Sequence, residues 1–261
     1  MSHSVKSTRP VHALPALKQV ENVTLREQVT QSVRSALMNG HFQPGQPVTV
    51  RAISSMLGAS VMPAREAMNR LIAEGALELR ANRTVIVPVL SRDEFDELTD
   101  LRCHVEGLAA AQAVDRVEPA HIERLRQIDA AMRVAARKGD ADAYLDGNFQ
   151  FHFVIYRLGA SVFMLSIIER LWVRVGPLIR SCFNTTGLSD SSRLHAQIIE
   201  ALEGRKSAAL RKAIVADIAV AAETIRATQA TRAVAGPTGQ LAGAGQAHSI
   251  RAAHGLVAAA R

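Results

Sequence analysis

Four polar side chains lie among apolar neighbours in the second half of the sequence, where they could bind a metal ion. Asn148 and His152 stand one helical turn apart in an aromatic-rich run, while His195 and Asp217 lie in two further apolar segments. Nitrogen and oxygen ligands that converge from three helices suit a divalent ion such as Zn, Ni or Mn. The alternative is structural: His152 bonds to Asn148 in the core, and Asp217 pairs with a nearby arginine.

A second set of candidate residues is basic and lies near the N-terminus. Residues 1–88 carry ten Lys or Arg against five Asp or Glu, in a chain whose formal net charge is +7. A basic excess in one segment is typical of a protein that binds nucleic acid. In the third predicted helix, Arg65 and Asn69 lie four residues apart and opposite the apolar stripe. Their guanidinium and amide groups are suited to base edges and phosphates.

The elements around these basic residues predict a winged helix-turn-helix. A first helix capped by Thr24 and a short second helix ending at Gly58 precede the third helix, and two β-favouring runs follow it. Ser60 and the N-terminus of the third helix can hold a phosphate. Arg51, on the supporting helix, and Arg83, in the hairpin, can contact the DNA backbone.

The remainder of the chain predicts an all-α domain. Helices are expected near residues 92–114, 119–138, 141–158, 162–182, 190–203 and 206–230. The layout is a flexible basic arm, a winged helix-turn-helix domain, an all-α domain and a disordered Ala/Gly-rich tail, over residues 1–20, 21–90, 91–231 and 232–261. The predicted fold is therefore mainly α, with an N-terminal winged helix-turn-helix followed by an all-α helical bundle.

Composition excludes several classes of protein. A hydrophobic content of 48% excludes disorder throughout the chain. The two cysteines, Cys103 and Cys182, show no metal-binding spacing, which argues against a disulfide scaffold or zinc finger and favours a reducing cytoplasm. No run of about 18 apolar residues is present and residues 1–20 lack an apolar core, so neither a membrane span nor a signal peptide is expected.

Short motifs in the N-terminal segment point to a known family. They are Ala36-Leu37-Met38-Asn39-Gly40, Pro44-Gly45, Leu57-Gly58-Ala59-Ser60, Pro63-Ala64-Arg65-Glu66-Ala67, Leu71 and Glu74-Gly75. With them the head resembles the winged helix-turn-helix of GntR-type bacterial transcriptional regulators. Over about residues 22–228 the layout resembles their FadR subgroup, which has an FCD ligand-binding domain. Two positions depart from the family pattern: Val61 stands where an Arg is usual, and Thr84 where the wing usually has Gly.

The resemblance implies roles for residues in both domains. In the head, the residues that match DNA-contacting positions are Arg51, Ser60, Arg65 and Arg83. In the helical domain, the residues that match metal ligands are Asn148, His152, His195 and Asp217, where Asn148 and Asp217 replace the commoner Asp and His.

An arginine is the natural clamp for a carboxylate effector. Arg102 matches a family position that faces the effector, and Arg174, on a long helix, is a second candidate. The alternative for Arg102 is a helix pair with Glu106.

The expected function is that of a ligand-responsive DNA-binding repressor, not an enzyme. It would act as a cytoplasmic homodimer on a double-stranded operator, with a small organic acid as effector. One alternative is a metal-dependent hydrolase or lyase that acts on a small carboxylate through His152, His195 and Asp217. Another is a basic protein that binds DNA without sequence specificity.

Overall fold

The computed structural model describes residues 24–180, 183 and 188–235. The elements of the N-terminal head are α1 (Leu25–Met38), α2 (Val50–Leu57), α3 (Val61–Ala73), β1 (Glu78–Leu79) and β2 (Val85–Ile86). Those of the helical domain are α4 (Arg92–Ala113), α5 (Pro119–Lys138), α6 (Ala141–Gly159), α7 (Val162–Ile179), α8 (Leu188–Glu203) and α9 (Ser207–Ala235). The predicted fold, a winged helix-turn-helix followed by an all-helical domain, is confirmed.

Short polar side chains and glycine set the ends of the head helices. Thr24 Oγ1 accepts a hydrogen bond from the Glu27 backbone N–H, and the Glu27 carboxylate accepts one from the Thr24 N–H, which completes a capping box. Thr49 caps α2, and Gly58 then turns the chain at a φ of 59°. Ser60 occupies the N-cap position of α3, but its hydroxyl makes no cap hydrogen bond to that helix. The Ser60 hydroxyl is therefore available to another partner.

The wing is a short antiparallel hairpin. Glu78 pairs with Ile86 and Leu79 with Val85, so each strand is shorter than the β-favouring runs predict. The connecting loop holds Arg83 in the left-handed region, at a φ of 64°. The loop thus has the conformation for which glycine is the usual residue.

The helices of the second domain lie close to their predicted positions. Helix α7 ends at Ile179, before the predicted end at residue 182, and α9 continues to Ala235 rather than to residue 230. The prediction that disorder begins at residue 232 is therefore wrong for residues 232–235, which extend α9. The rest of the predicted tail and the predicted arm, residues 236–261 and 1–20, lie outside the described residues. Of the helices described, none is both long and apolar enough to cross a membrane.

The head packs on the helical domain where the end of α1 meets α7. A Cβ atom on Gly176 would lie 2.6 Å from the carbonyl oxygen of Met38 and closer still to that of Leu37. Only glycine leaves room for this approach between two backbones.

Polar side chains flank that backbone contact and form what we call the interdomain joint: Asn39, His41, Asp142, Asp146 and Arg180. Asn39 Nδ2 donates to Asp146 Oδ1 at 2.6 Å, and His41 Nε2 lies 3.0 Å from the same oxygen. Arg180 Nη1 donates to Asp142 Oδ1 at 2.6 Å. The hydrogen bond with Asp146 raises the pKa of the His41 imidazole, against the opposing effect of burial.

We predict that Gly176→Ala loosens the head from the helical domain, because the new methyl group collides with backbone rather than with a movable side chain. Overpacking of this kind costs about 1–3 kcal/mol of unfolding free energy. Urea denaturation gives the cost, and hydrogen exchange shows whether α1 loses protection.

Gly107→Ala is the matched control. Gly107 is also helical and buried, but its added Cβ would meet only side-chain atoms, Val215 Cγ2 at 3.1 Å and Arg211 Cγ at 3.3 Å. Its stability should stay within about 1 kcal/mol of wild type, since alanine also favours the helix. Equal losses in the two variants would show that the close approach at Gly176 has no special role.

Candidate functional site

The exposed face of α3 carries the candidate base-contacting residues. Ala64, Met68 and Leu71 are buried against the head, whereas Arg65 and Asn69 are exposed. The helical periodicity of the sequence predicts this division. A helix that presents such a face can enter the major groove of DNA.

The other DNA-binding candidates are exposed as well. Arg51 lies in the first turn of α2, Ser60 at the N-cap of α3, and Arg83 in the wing loop. The first turn of α3 also exposes two apolar side chains, Val61 at 51% and Met62 at 62% of their surface. The N-terminal end of α3 therefore combines an unused hydroxyl with alkyl groups that meet solvent.

Three buried residues from α6, α8 and α9 bring ligand atoms within 4.8 Å of one another, and we call them the His–Asp cluster: His152, His195 and Asp217. His152 Nε2 lies 3.3 Å from Asp217 Oδ2, and His195 Nε2 lies 3.9 Å from Asp217 Oδ1. Asn148 lines the adjoining cavity, one turn before His152. Three of the four predicted ligands thus meet around one place although they come from three helices, and Asn148 lies in the wall of the adjoining cavity.

Polar side chains outside the cluster face the Nδ1 atom of each imidazole. The Tyr156 hydroxyl donates a hydrogen bond to Glu106 Oε2 at 2.5 Å. In its 3.3 Å contact with His152 Nδ1 the hydroxyl oxygen must therefore accept, which requires a proton on that nitrogen. His195 Nδ1 faces Asp129 Oδ1 at 3.5 Å. The Nε2 atom of His195 has no hydrogen-bond partner among the described residues. Both imidazoles therefore direct Nε2 into the cluster.

This arrangement is a donor set for a cation. Burial raises the pKa of the Asp217 carboxyl, but the hydrogen bond with His152 and nearby cationic groups lower it by more, so the pKa lies below its ordinary value. An anionic Asp217 and two inward Nε2 atoms repel one another unless a proton or a metal ion lies between them. Two ligands each about 2.1 Å from one ion lie at most about 4.2 Å apart. The measured separations of 3.3 and 3.9 Å satisfy that limit.

Arg102 lies in the wall of the cavity but is already paired. Its Nε donates to Glu106 Oε1 at 2.6 Å and its Nη2 to Oε2 at 3.2 Å, and both residues are buried. Burial lowers the pKa of the Arg102 guanidinium, but the Glu106 carboxylate raises it by more, so the pair remains ionic. The helix pair considered as the alternative for Arg102 is present, and the effector role of Arg102 stays a prediction.

Arg174 is not brought to the cavity. Trp172 and Ile179, seven residues apart on α7, line the cavity, and Arg174 projects from another side of that helix. Its side chain is exposed, and its Nη2 atom lies beside Gly75, at the end of α3 in the head. The structure therefore corrects the prediction that Arg174 binds the effector.

Three residues with clear roles at the site were missed or undervalued in the sequence. Tyr156 and Asp129 belong to no motif in the sequence, and Glu106 stands out only as a helix-pair partner of Arg102. Asp129 is buried and pairs with Arg133 at the edge of the domain. Its position in the apolar stripe of α5 was the available signal, because a carboxylate at a core position needs partners.

The cavity beside the cluster has a volume of about 40 Å³ and is lined by side chains from α4, α6, α7, α8 and α9. An exposed helix with basic side chains in the head, and a cavity with several polar side chains in its mainly apolar wall in a helical domain, define a class of protein. In this class, DNA binding responds to a small molecule.

Two family models match the chain. The model described as "Bacterial regulatory proteins, gntR family" matches residues 25–87, and the FCD domain model matches residues 97–220. The chain therefore belongs to the GntR family of bacterial transcriptional regulators, in the FadR-like subgroup that carries an FCD domain. The FCD domain is a ligand-binding effector domain.

Individual relatives agree with this assignment. The HTH-type transcriptional regulator McbR of Escherichia coli (strain K12) is 29% identical over 164 residues, which are 63% of this chain and 74% of McbR. The HTH-type transcriptional repressor RspR of the same strain is 21% identical over 203 residues, 77% of this chain and 89% of RspR. The solved structure of E. coli McbR/YncC, at 24% identity, has the same fold, with a TM-score of 0.72 over 80% of this chain and 99% of that chain.

The family and its named members are transcriptional regulators. The chain is accordingly a DNA-binding transcriptional regulator and not an enzyme. The hydrolase or lyase alternative receives no support from these relatives.

We predict that Arg65→Ala weakens operator binding and reduces its preference over random DNA, because Arg65 presents its guanidinium on the same exposed face of α3 as Asn69. A bidentate contact to one base is worth about 1–3 kcal/mol, or roughly tenfold to hundredfold in affinity. The measurement is a gel-shift titration with a duplex selected from random sequences by the full-length wild-type protein.

Arg70→Ala is the control on the same helix. Arg70 pairs with Glu74 at 2.9 Å, so its loss should leave sequence preference intact. Unchanged affinity of the Arg65→Ala variant for the selected duplex would contradict the assignment of α3 as the base-contacting helix.

Proposed function

We propose that this regulator is a repressor whose helical domain binds a small organic acid through a divalent Zn, Ni or Mn ion, held by Asn148, His152, His195 and Asp217. The observation that carries the proposal is the inward orientation of both Nε2 atoms toward an anionic carboxylate. A bound divalent ion supplies positive charge and open coordination positions to an acid. The relative RspR is named as a transcriptional repressor, which supports repression as the mode of regulation.

The charges in the cavity wall explain why an acid would depend on the ion. Arg102 is paired with Glu106, and the carboxylate in the wall that an entering anion meets is that of Asp217. An anion in this cavity would be repelled unless a cation were bound at the cluster. The ion, rather than Arg102, is therefore the main source of attraction for a carboxylate.

The size of the cavity limits the effector. One water molecule needs roughly 10–15 Å³ of such volume, so about 40 Å³ accommodates only a few non-hydrogen atoms. We infer a compact acid as effector, because a larger one would have to displace side chains of the wall.

The surface of α3 supports a prediction about the base sequence of the operator. Arg65 and Asn69 can donate to purine edges in the major groove. Val61 places a branched alkyl group where the family usually has an arginine, and an alkyl group complements the thymine methyl rather than a guanine. The operator should therefore favour thymine opposite the first turn of α3.

Exposed apolar side chains support a homodimer. Large apolar residues protrude from α4 and α7, two helices that contact each other, and they are Leu101, Leu108, Val162, Phe163 and Ile167. Phe163 is 82% and Val162 85% exposed, and neighbouring exposed apolar side chains of this kind form a patch that is typical of an interaction site. A second copy of the chain would cover this face and place two heads on a two-fold symmetric operator in the cytoplasm.

The effector cavity and the head share two helices, which supplies a route for regulation. Helix α6 carries Asn148 in the cavity wall and Asp146 in the interdomain joint. Helix α7 ends at Ile179 in the cavity wall, and its C-cap residue, Arg180, lies in the joint. An acid that shifts either helix would change the contacts that position the head.

We predict that the full-length protein binds Zn²⁺, Ni²⁺ or Mn²⁺ with one-to-one stoichiometry in calorimetric titrations, and that Asp217→Asn abolishes binding because it removes the anionic ligand. Asp129→Asn, which removes the carboxylate beside His195 Nδ1 together with its ion pair to Arg133, should weaken binding by about 10–100-fold. His104→Gln, at an exposed histidine outside the cluster, should bind as wild type does. Equal affinity of the Asp217→Asn and His104→Gln variants would refute the site.

We predict that Phe163→Glu converts the dimer to a monomer, because a carboxylate in the covered apolar face loses its hydration. Analytical ultracentrifugation measures the change. Val134→Glu, at a 40% exposed apolar residue of α5, should remain dimeric. A wild-type chain that sediments as a monomer at micromolar concentration would contradict the proposed homodimer.

A further inference from the structure

Trp172 forms part of the cavity wall and is the only tryptophan in the chain. Its side chain is 1% exposed. The rings of Phe149 and Phe153 meet it edge to face, at centroid distances of 5.8 and 5.3 Å, and the Arg102 guanidinium lies 5.2 Å from its ring centroid. These contacts hold the indole in one orientation.

The polar atom of this ring is unsatisfied. Trp172 Nε1 is fully buried and has no hydrogen-bond partner among the described residues. Buried donors are almost always paired in native proteins, so an unpaired donor on a residue that lines a cavity is a candidate to bind an acceptor there. An indole N–H can only donate, so the missing partner is an acceptor.

Two other residues of the wall already use donors within the protein. The Nε and Nη2 atoms of Arg102 donate to Glu106, and the Thr224 hydroxyl donates to the backbone carbonyl of Val220. Trp172 therefore differs from Arg102. Its N–H has no acceptor within the described part of the protein, so binding a ligand there breaks no existing hydrogen bond.

We propose that Trp172 is the specificity-determining donor of the effector site, and that its Nε1–H donates to an anionic oxygen of the bound acid. This inference rests on the proposed function, since it assigns a residue to recognition of the same acid. It reassigns the role that an arginine clamp was expected to fill. The site should accept compact carboxylates and reject amines of the same size, because an ammonium group offers no acceptor to Trp172.

The test uses full-length protein loaded with Zn²⁺, and acetate, glycolate and pyruvate as probes, with methylammonium as the cationic counterpart. Trp172→Phe keeps the aromatic packing and removes the donor. We expect its affinity for whichever acid binds wild type to fall about tenfold to hundredfold, the value of a hydrogen bond to a charged group. Its Zn²⁺ affinity should be unchanged. Ile179→Val, which alters the wall without touching a donor, should bind the acid as wild type does.

A second measurement does not depend on the stability of the variant. The indole of ¹⁵N-labelled wild-type protein gives one N–H resonance, because the chain has one tryptophan. Saturation with the acid should move the indole proton downfield, as a new hydrogen bond does. Melting curves establish whether Trp172→Phe is folded, and the resonance decides the question if it is not.

The outcomes separate this inference from the proposed function. If wild type binds an acid while Trp172→Phe binds it equally well, or if the indole resonance stays in place at saturation, the role of Trp172 is refuted and the acid effector stands. If Zn²⁺-loaded wild type binds none of the acids at tens of millimolar, the small-acid effector is itself refuted, and the role of Trp172 falls with it.

Discussion

Burial of charged groups in an all-helical core is the constraint on which the effector domain depends. Among the described residues, six Arg, Asp, Glu or His side chains of this domain are nearly inaccessible: Arg102, Glu106, Asp129, His152, His195 and Asp217. Such groups are stable in a core only when paired and hydrogen-bonded. Arg102 satisfies Glu106, and Arg133 reaches Asp129 from the surface. The His–Asp cluster is the part of this network that remains incomplete, and it lies beside the cavity.

The completed parts of the network position the incomplete part. Glu106 accepts a hydrogen bond from the Tyr156 hydroxyl, which leaves the Tyr156 oxygen to accept a hydrogen bond from His152. Burial and the Glu106 carboxylate raise the pKa of Tyr156 well above its ordinary value, so the hydroxyl remains a neutral donor. Glu106, which also pairs with Arg102, therefore sets the orientation of His152 through two successive hydrogen bonds. One buried carboxylate thus controls both the charge of the wall and the geometry of the cluster.

The sequence predicts local features of this protein better than its long-range pairings. Capping residues such as Thr24 and Ser91, and the exposed position of Arg65, follow from interactions within one or two helical turns. The convergence of His152, His195 and Asp217 was anticipated partly through the family resemblance, because spacing alone cannot bring three helices together. The pairing of His195 with Asp129 depends on how α5 packs on α8, which no local pattern encodes. The placement of Arg174 failed for a related reason, since its helix turns one face to the cavity and another to the head.

The interdomain joint is weak enough for a ligand to change it. Its ion pairs involve partly exposed groups, with Asp142 at 62% and Asp146 at 41% side-chain exposure. Exposed pairs of this kind contribute about 0.2–1 kcal/mol each. Coupling between effector and DNA sites is typically about 1–3 kcal/mol, which is the sum of a few such contacts. A ligand of the FCD domain therefore needs only a modest preference for one placement of α6 and α7 to release or fix the head, and operator binding must change the affinity for that ligand by the same factor.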